Sequence, residues 1–438
     1  MTASAPPSVP LRSWMWLLIS FLCAAGVWLY AQRVLIPYQM ADAAAYNRPR
    51  GNLSDLYPRW IGARELLLHG RSPYSADVTR EIQAGYYGRV LDPSRPADPK
   101  DQQAFAYPVY VVFWLAPILK APFPVIERGF LYLLAALTTA SSLLWLSLLR
   151  MRLSLIEKTM VAALTLGSLP AMQGLKLQQL SLLVAGLITI AILLLIHDYP
   201  IAAGLLFAFA SIKPQLVALP LLWLAIWTLA DLRRRYRWAL SFIISMAIQM
   251  AAAEWYVPHW IPQFVRAVGE YRRYTGAISV AEVLVGPLPG ALLELAALAL
   301  LIRLCWSVRG QPRRSQAFAS TTAVVLAFTV LLMPAFSVYN QVLLIPAVLL
   351  LARDRLALWN QGISLRVLSA VAAALVAWPW VSSTVLAGLS FGLPQATVER
   401  AWKLPFWMVF AAPVGVAAAA LIYAWRQTFA ASWQHRPS

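Results

Sequence analysis

The sequence predicts an all-α protein that crosses a membrane many times, and two observations carry that prediction. Of its 438 residues, 60% are hydrophobic and only 12% are charged, whereas about a quarter of the residues of a typical soluble domain are charged. Apolar runs of roughly 17 residues or more recur from Trp14 to Trp425, and each is long enough for a membrane-spanning helix.

The positive charge lies in short arginine clusters between the apolar runs, for a net charge of +18. Clusters of this kind follow the positive-inside rule, and no continuous basic domain or nucleic-acid motif accompanies them, so we predict no nucleic-acid partner. Cys23 and Cys305 both fall in predicted spans and indicate neither a disulfide framework nor a metal site. We expect no cofactor, although a divalent ion shared with a bound phosphate stays open.

The arginine clusters also predict the topology. Arg12 precedes the first span, at residues 14–36, and places the N-terminus in the cytoplasm. The later clusters fall on the same side if the short, proline-interrupted segment 105–120 is a re-entrant or interfacial helix. The result is about twelve spans in a single integral-membrane domain, 1–438, of the cytoplasmic (inner) membrane. The further spans are predicted at residues 125–149, 156–171, 178–196, 200–212, 214–230, 237–256, 287–308, 316–333, 339–351, 367–389 and 404–426.

Residues 37–104 are predicted to form the first external loop, whose polar stretch begins at Gly51. Two helix candidates lie in it, Asp55–His69 closed by Gly70 and Ser75–Tyr87 closed by Gly88. Asp or Ser before a helix and Gly after it are ordinary helix boundaries. Apolar residues recur at helical spacing in the first candidate, so it is expected to be amphipathic and to lie on the membrane surface.

Several cations on the outer side break the positive-inside rule. Lys213 is the sharpest case, because it sits in SIKP, where Pro214 interrupts a long apolar run. A cation at bilayer depth costs several kcal/mol unless it is paired or hydrated. One interpretation is a lysine that snorkels at a helix end, and the other is a cation placed for a lipid phosphate. The complete set is Lys176, Lys213, Arg266, Arg272, Arg273, Arg400 and Lys403.

Four segments in order carry a family resemblance: SDLYPRWIGARELLLHGRSPY, FAYPVYVVFWLAP, LQQLSLLVAGLI and AGLLFAFASIKPQ. Together they are similar to the polyprenol-phosphate-dependent glycosyltransferases of family 87, which belong to the GT-C superfamily. The resemblance runs over about residues 50–350 and implies a GT-C-type fold. The chain carries no P-loop and no nucleotide-sugar signature, which fits a lipid-linked donor.

The resemblance implies that Asp55 is the catalytic base of an inverting transfer. A carboxylate within hydrogen-bonding reach can take the proton of an acceptor hydroxyl as that hydroxyl attacks the anomeric carbon. The alternative is that Asp55 only caps its helix, since Pro58 follows in the first turn. The leaving phosphate gains negative charge, so cations would stabilise it. The candidates are Lys213, Arg272 and Arg273, with Arg59 and Arg64 behind them.

Six further residues are candidates for substrate contacts. Gln178 and Gln179 open a helix on the outer side, where their amides are candidates for hydrogen bonds to a sugar; the alternative is an ordinary polar helix end. Tyr107 of the F-x-Y-P segment is a candidate for a lipid groove, although aromatic residues near an interface are expected in any case. Some relatives carry histidines in the external turn that here reads PAFSVYNQ. That turn supplies the last candidates, Tyr339, Asn340 and Gln341.

We therefore predict a membrane glycosyltransferase that takes a sugar from a polyprenyl-phosphate donor. Mannose is the first candidate sugar, and the acceptor would be a glycolipid, a glycan or a protein at the external face of the membrane. The alternative is a flippase or secondary transporter of lipid-linked sugars. Transporters commonly show matching broken helices in both halves, and the SIKP break has no evident counterpart in the sequence.

Overall fold

The computed structural model describes residues 11–46, 54–92, 94–96, 98–276, 278–360 and 362–434. Gly51 and the rest of residues 47–53 lie outside this part of the chain. The described residues form helices and turns and contain no strand. The predicted all-α class is confirmed.

The first helix is longer than the sequence predicts. Helix α1 (Leu11–Tyr30) continues through a π-helical turn at Ala31–Leu35 into α2 (Ile36–Ala45). Residues 37–45 are therefore helical, and where the external loop begins relative to a membrane stays a prediction. Pro37 lacks an N–H and its ring crowds the preceding turn, but the wider π-helical turn just before it absorbs that irregularity without ending the helix.

The two helix candidates of the predicted external loop are confirmed as α3 (Leu56–His69) and α4 (Ala76–Tyr87). Gly70 and Gly88 follow them with φ of 67° and 79°, left-handed angles that glycine adopts without strain. Helix α3 packs against α4 and the short α5 (Val111–Leu115), and eight of its fourteen residues are buried. Its apolar side is therefore covered by protein.

Helix α5 and the 3₁₀ turn Ala116–Ile118 are all the helix found in the segment predicted as re-entrant. Five α-helical residues extend about 7.5 Å, far less than the ~30 Å of a bilayer core. Val111, Val112 and Leu115 are buried in the main hydrophobic core. The segment is thus too short to cross, and its position relative to a membrane stays a prediction.

The remaining chain forms a helical bundle in which α10 packs between α9 and α12, and α16 packs against α11, α15 and α21. Two 3₁₀ turns interrupt it, at Val338–Leu344 and Leu404–Phe406. The bundle helices are α6 (Phe123–Leu148), α7 (Leu155–Leu166), α8 (Leu169–Lys176), α9 (Leu180–Ile196), α10 (Pro200–Ala210), α11 (Pro214–Leu229), α12 (Leu232–Tyr256), α13 (Trp260–Thr275), α14 (Val280–Val285), α15 (Pro287–Val308), α16 (Gln316–Leu332), α17 (Ile345–Arg353), α18 (Arg355–Asn360), α19 (Ile363–Leu389), α20 (Gln395–Arg400) and α21 (Ala411–Gln434).

Six helices in the described residues are long and apolar enough to cross a membrane, or up to seven if the bent pair α8–α9 is one span. A polytopic membrane protein is therefore confirmed, but the count falls short of the predicted twelve. The shortfall arises because several predicted spans are short helices, such as α10 with 11 residues and α17 with 9. An α-helix needs about 20 residues to cross the hydrocarbon core without a tilt.

The arginine clusters that were predicted to share one side do lie together. Arg150 donates to the Arg314 carbonyl at 2.6 Å, Arg353 to the Leu149 carbonyl at 2.9 Å, and Arg235 to the Arg309 carbonyl at 2.7 Å. These contacts gather four of the predicted cytoplasmic clusters at one end of the bundle. Which side of a membrane this end faces stays a prediction.

Candidate active site

A polar cavity of about 340 Å³ lies where several broken or short elements converge. Its walls come from the start of α3, from residues 101–108, from the breaks before α9 and α11, from α13 and from the turn before α17. The candidate residues that line it are Asp55, Arg59, Tyr107, Gln179, Lys213, Arg272, Tyr339 and Asn340.

Asp55 sits at the N-cap position of α3, but its side chain makes no capping hydrogen bond. Its carboxylate instead accepts a hydrogen bond from Gln179 Nε2. Its backbone N–H donates to the Leu177 carbonyl at 2.8 Å, which ties the start of α3 to the break between α8 and α9. The alternative that Asp55 serves as a helix cap therefore does not describe its side chain, which faces the cavity.

Lys213 occupies the predicted break, between the end of α10 at Ala210 and the start of α11 at Pro214. Its side chain is 5% exposed, and its ammonium donates to Gln179 Oε1 at 2.8 Å and to Ser181 Oγ at 2.7 Å. Both acceptors are neutral, and Lys213 forms no ion pair with any described residue. A snorkelling lysine would extend to water, so this burial disagrees with that interpretation.

Gln179 links the carboxylate to the ammonium. It lies at the break between α8 and α9, where the two helices meet at 118°. Gln178, immediately before it, has a φ of 50°, a left-handed angle that produces this sharp turn. The amide of Gln179 must present its nitrogen to Asp55 and its oxygen to Lys213, because only that orientation satisfies both charged partners.

Two aromatic rings hold the cations in place. The guanidinium of Arg59 lies 4.4 Å from the centre of the Tyr107 ring, and its Nη1 donates to the Asp55 carbonyl at 2.6 Å. The Lys213 ammonium lies 5.7 Å from the centre of the same ring and 5.1 Å from that of Tyr339. Cation–π contacts of this kind are worth about 2 kcal/mol when desolvated. They stabilise the cations without neutralising them.

The surroundings of Asp55 shift its protonation. Burial away from water is the largest influence and raises the pKa of Asp55 above the usual 3.8. The Asp101 carboxylate also raises this pKa, whereas Arg59, Lys213 and the hydrogen bond from Gln179 lower it. Burial and nearby carboxylates disfavour the charged form, whereas nearby cations and donors favour it. A carboxylate whose pKa is raised is a stronger base, which suits proton abstraction.

Arg272, Tyr339 and Asn340 also reach the cavity. Asn340 accepts a hydrogen bond from Ser181 Oγ at 2.6 Å through its side-chain oxygen, so the chain of polar contacts runs from Asp55 through Gln179, Lys213 and Ser181 to Asn340. Arg272 is exposed at the rim. Every member of this network past Asp55 comes from a helix break, a helix start or a turn.

Four predicted site residues lie elsewhere. Arg64 lies over the Trp60 ring at 5.5 Å, and Gln178 donates to the Glu127 carbonyl at 2.8 Å. Gln341 donates to the Val409 carbonyl at 2.5 Å and borders a separate apolar cavity. Arg273 lines a neighbouring groove. Gln178, Gln341 and Arg273 each follow or precede a residue that does line the cavity, and their side chains point in another direction. Arg64 lies further along α3 than Arg59, the last residue of that helix in the cavity wall.

The cavity also contains residues that were not predicted. Asp101 is the most consequential, because its sequence context is that of an ordinary loop charge. Its carboxylate accepts hydrogen bonds from the backbone N–H and the side chain of Gln103, each at 2.9 Å. Tyr271 of α13 lines the opposite wall, and burial raises its pKa to about 12. The position of Asp101 just before the F-x-Y-P segment is the one sequence signal that points to it. The polar residues of the lining that were not predicted are Asp101, Gln103, Gln215, Tyr271 and Ser337.

Within the described ranges, no group of three or more His, Cys, Asp or Glu residues is arranged to hold a metal ion. The cavity offers two carboxylates, Asp55 and Asp101, and three cations, Arg59, Lys213 and Arg272. Such a set is suited to one anionic ligand beside a base.

Comparison with known proteins gives one match. The model of glycosyltransferase family 87 matches residues 105–334, which is more than half of the 438 residues. Tyr107, Gln179, Lys213 and Arg272 lie inside the matched segment, whereas Asp55 precedes it. No curated protein and no solved structure matches the chain.

Proposed function

We propose that this chain, which belongs to glycosyltransferase family 87, transfers a sugar from a polyprenyl-phosphate donor to a glycolipid, glycan or protein acceptor. Family membership and the apolar helices make it a membrane glycosyltransferase. The proposal further includes the polyprenyl-phosphate donor, mannose as the first candidate sugar, the GT-C-type fold and a site on the external side of the cytoplasmic membrane.

One observation carries it: a carboxylate and a buried cation are held at the two ends of a single amide inside one cavity, and the cation makes no direct ion pair with any described residue. A buried ammonium without a direct ion pair costs several kcal/mol, so its retention favours a site that receives an anion from outside. The phosphate of the donor would supply that anion at Lys213. Asp55 would then face the sugar and the acceptor hydroxyl across Gln179.

The transfer follows from this arrangement. Asp55 accepts the proton of the acceptor hydroxyl as its oxygen attacks the anomeric carbon. The bond between that carbon and the phosphate oxygen breaks, and its electron pair stays on the phosphate. Lys213, Arg59 and Arg272 face this growing negative charge, and such fixed donors contribute most in the transition state. Attack from the side opposite to the leaving group inverts the anomeric centre, and the proton on Asp55 returns to water.

The experiment is transfer of radiolabelled sugar from defined polyprenyl-phosphate donors by membranes that contain the protein. Asp55→Asn keeps the shape and an acceptor oxygen for Gln179 but removes the base, and we expect transfer to fall roughly 10²- to 10⁴-fold. The matched control is Asp77→Asn, since the Asp77 side chain is 69% exposed on α4. It should leave transfer unchanged.

Full activity of the Asp55→Asn protein would remove Asp55 as the base. No transfer from any polyprenyl-phosphate donor, together with transbilayer movement of those lipids, would replace the transferase by a flippase.

A further inference from the structure

A second and larger polar groove, of about 910 Å³, lies beside the cavity. Helix α4 forms one wall and α13 the other, and residues 102–105 form its floor. Ser72 Oγ donates to Gln263 Oε1 at 3.3 Å and joins the two walls at one end. Ligand pockets range over about 300–1,000 Å³, so the groove is far larger than one sugar unit requires.

The groove borders the cavity that holds Asp55, since Ala104 lines both. A chain molecule lying in the groove would therefore have its end beside the site of transfer. The hydroxyl of Tyr74, which lines the groove, donates to the carbonyl of Tyr107, which lines the cavity, at 2.6 Å. A hydrogen bond therefore joins the linings of the two spaces.

Helix α13 separates its residues into three faces. Phe264, Val268 and Tyr271 face the cavity, whereas Ile261 and Val265 are exposed apolar residues. The groove face lies roughly 155° around the helix from the exposed apolar face, at 3.6 residues per turn. That face consists of Gln263, Arg266, Ala267, Glu270 and Arg273.

The groove is positively charged. Arg80, Arg266 and Arg273 line it against a single acid, Glu270. Arg80 forms an ion pair with Asp77, whereas neither Arg266 nor Arg273 forms an ion pair with any described residue, and both are exposed. Guanidinium groups bind carboxylate and phosphate through paired hydrogen bonds. These two arginines face the groove and point away from the apolar side of α13.

From this geometry we infer that the α4–α13 groove binds the acceptor, and that the acceptor is a glycan chain that carries anionic groups. The inference rests on the proposed function for the direction of transfer, since the acceptor end would enter the cavity past Ala104. The anionic groups, carboxylates of acidic sugars or phosphates on the chain, would contact Arg266 and Arg273. Neutral hydroxyls have polar partners in Gln83, Gln102 and Gln263.

The test is binding of a fluorescent tetragalacturonate to the purified protein in nanodiscs of neutral lipid. Maltotetraose of the same length is the neutral comparison, and a phosphorylated maltotetraose distinguishes phosphate from carboxylate recognition. We expect both acidic probes to bind more tightly than the neutral one. The double variant Arg266→Gln/Arg273→Gln should weaken acidic binding at least tenfold, since it removes charge-assisted hydrogen bonds.

Two further variants sharpen the result. Ala76→Trp fills the groove from the exposed start of α4 and should weaken all three probes, while Arg400→Gln removes an exposed arginine outside the groove and should change none. Equal binding of acidic and neutral probes, or an unchanged double variant, overturns the inference. The inference is also overturned if the double variant binds the acidic probes like the wild type and loses only its binding to anionic vesicles, because the arginines would then contact lipid.

The same assay separates this inference from the proposed function. The Asp55→Asn protein should bind the acidic probes like the wild type, because Asp55 does not line the groove. If sugar transfer fails while acidic binding persists in both proteins, the transferase proposal falls and the groove stands. If transfer succeeds and acidic binding fails, the groove inference alone is overturned.

Discussion

Shortening the Gln179 side chain tests the coupling between base and cation most directly. In the wild type, the Gln179 amide joins Asp55 and Lys213 through hydrogen bonds to both. In Gln179→Asn the side chain is one methylene shorter, so the amide can no longer reach both partners. A hydrogen bond to a charged group contributes about 1.5–3 kcal/mol. Losing one of the two should lower kcat/KM for sugar transfer roughly 10- to 150-fold.

The pH profile gives the sharper readout. The Gln179 hydrogen bond lowers the pKa of Asp55, because it stabilises the carboxylate. Its loss raises that pKa further. Since the base must be deprotonated to act, the acidic limb of kcat/KM against pH should move to higher pH. A residue that only packs would lower the rate without moving the limb.

Gln178→Asn is the matched control, because the same truncation one residue earlier affects a side chain bound to the Glu127 carbonyl outside the cavity. Asparagine also tolerates the left-handed angle at that position. Transfer is measured at saturating and limiting donor from about pH 4 to about pH 9, a range that starts near the usual Asp pKa of about 3.9 and extends upward because the pKa of Asp55 is raised. An unmoved limb in Gln179→Asn, or an equal movement in Gln178→Asn, refutes the reasoning.

Three other predictions concern the cation, the loop and the bundle. Lys213→Gln should lower transfer roughly 10²- to 10³-fold, as the loss of one transition-state donor does. The control Lys403→Gln changes an exposed lysine and should not lower it; equal transfer of radiolabelled sugar by both variants would contradict this. The Glu65 side chain is 6% exposed, and although burial raises its pKa, hydrogen bonds from its arginine and histidine partners outweigh that and lower it. Its contribution to stability should therefore be full above pH 4.5 and be lost as pH falls through the lower folded pKa. Glu65→Gln should cost about 1–3 kcal/mol at pH 7 and progressively less as the pH falls below 4.5; a cost in thermal unfolding that does not change with pH would oppose this. A Cβ added at Gly204 would lie 2.8 Å from a backbone nitrogen of α12, whereas a Cβ added at Gly129 would meet no atom within 4 Å. Gly204→Ala should therefore destabilise the protein by about 1–3 kcal/mol, and Gly129→Ala should not; equal melting temperatures of the two variants would contradict this.

Local signals predicted the elements whose causes are local. Gly70 and Gly88 mark the ends of α3 and α4 because only glycine adopts their left-handed angles cheaply, and Pro214 marks the start of α11 because proline cannot continue α10. The apolar run that predicts the first span ends at residue 36, but the helix continues through a π-helical turn to Ala45. The helix start at Gln178 and Gln179 was predicted, but the short α8 before it and the sharp turn between α8 and α9 were not.

The candidate site divides in the same way. Asp55 and Lys213 were predicted, one through the family resemblance and one through its charge at a helix break. Asp101 was not, because nothing near it in the chain distinguishes it from a loop carboxylate. The sequence also could not show that Gln179 lines the cavity while Gln178 and Gln341 do not, or that Arg272 does and Arg273 does not. Neighbouring residues of like chemistry differ only in the direction of their side chains.

The sequence by itself determined that this is an all-helical membrane protein with a polar loop after its first helix, because hydropathy and capping residues act within one helix. The tertiary structure decided that the breaks before α9 and α11, the start of α3 and the turn before α17 meet around one cavity. Residues as distant as Asp55, Lys213 and Asn340 are joined there by Gln179 and Ser181. Contacts of that range depend on how the helices pack, and no local pattern in the chain encodes that packing.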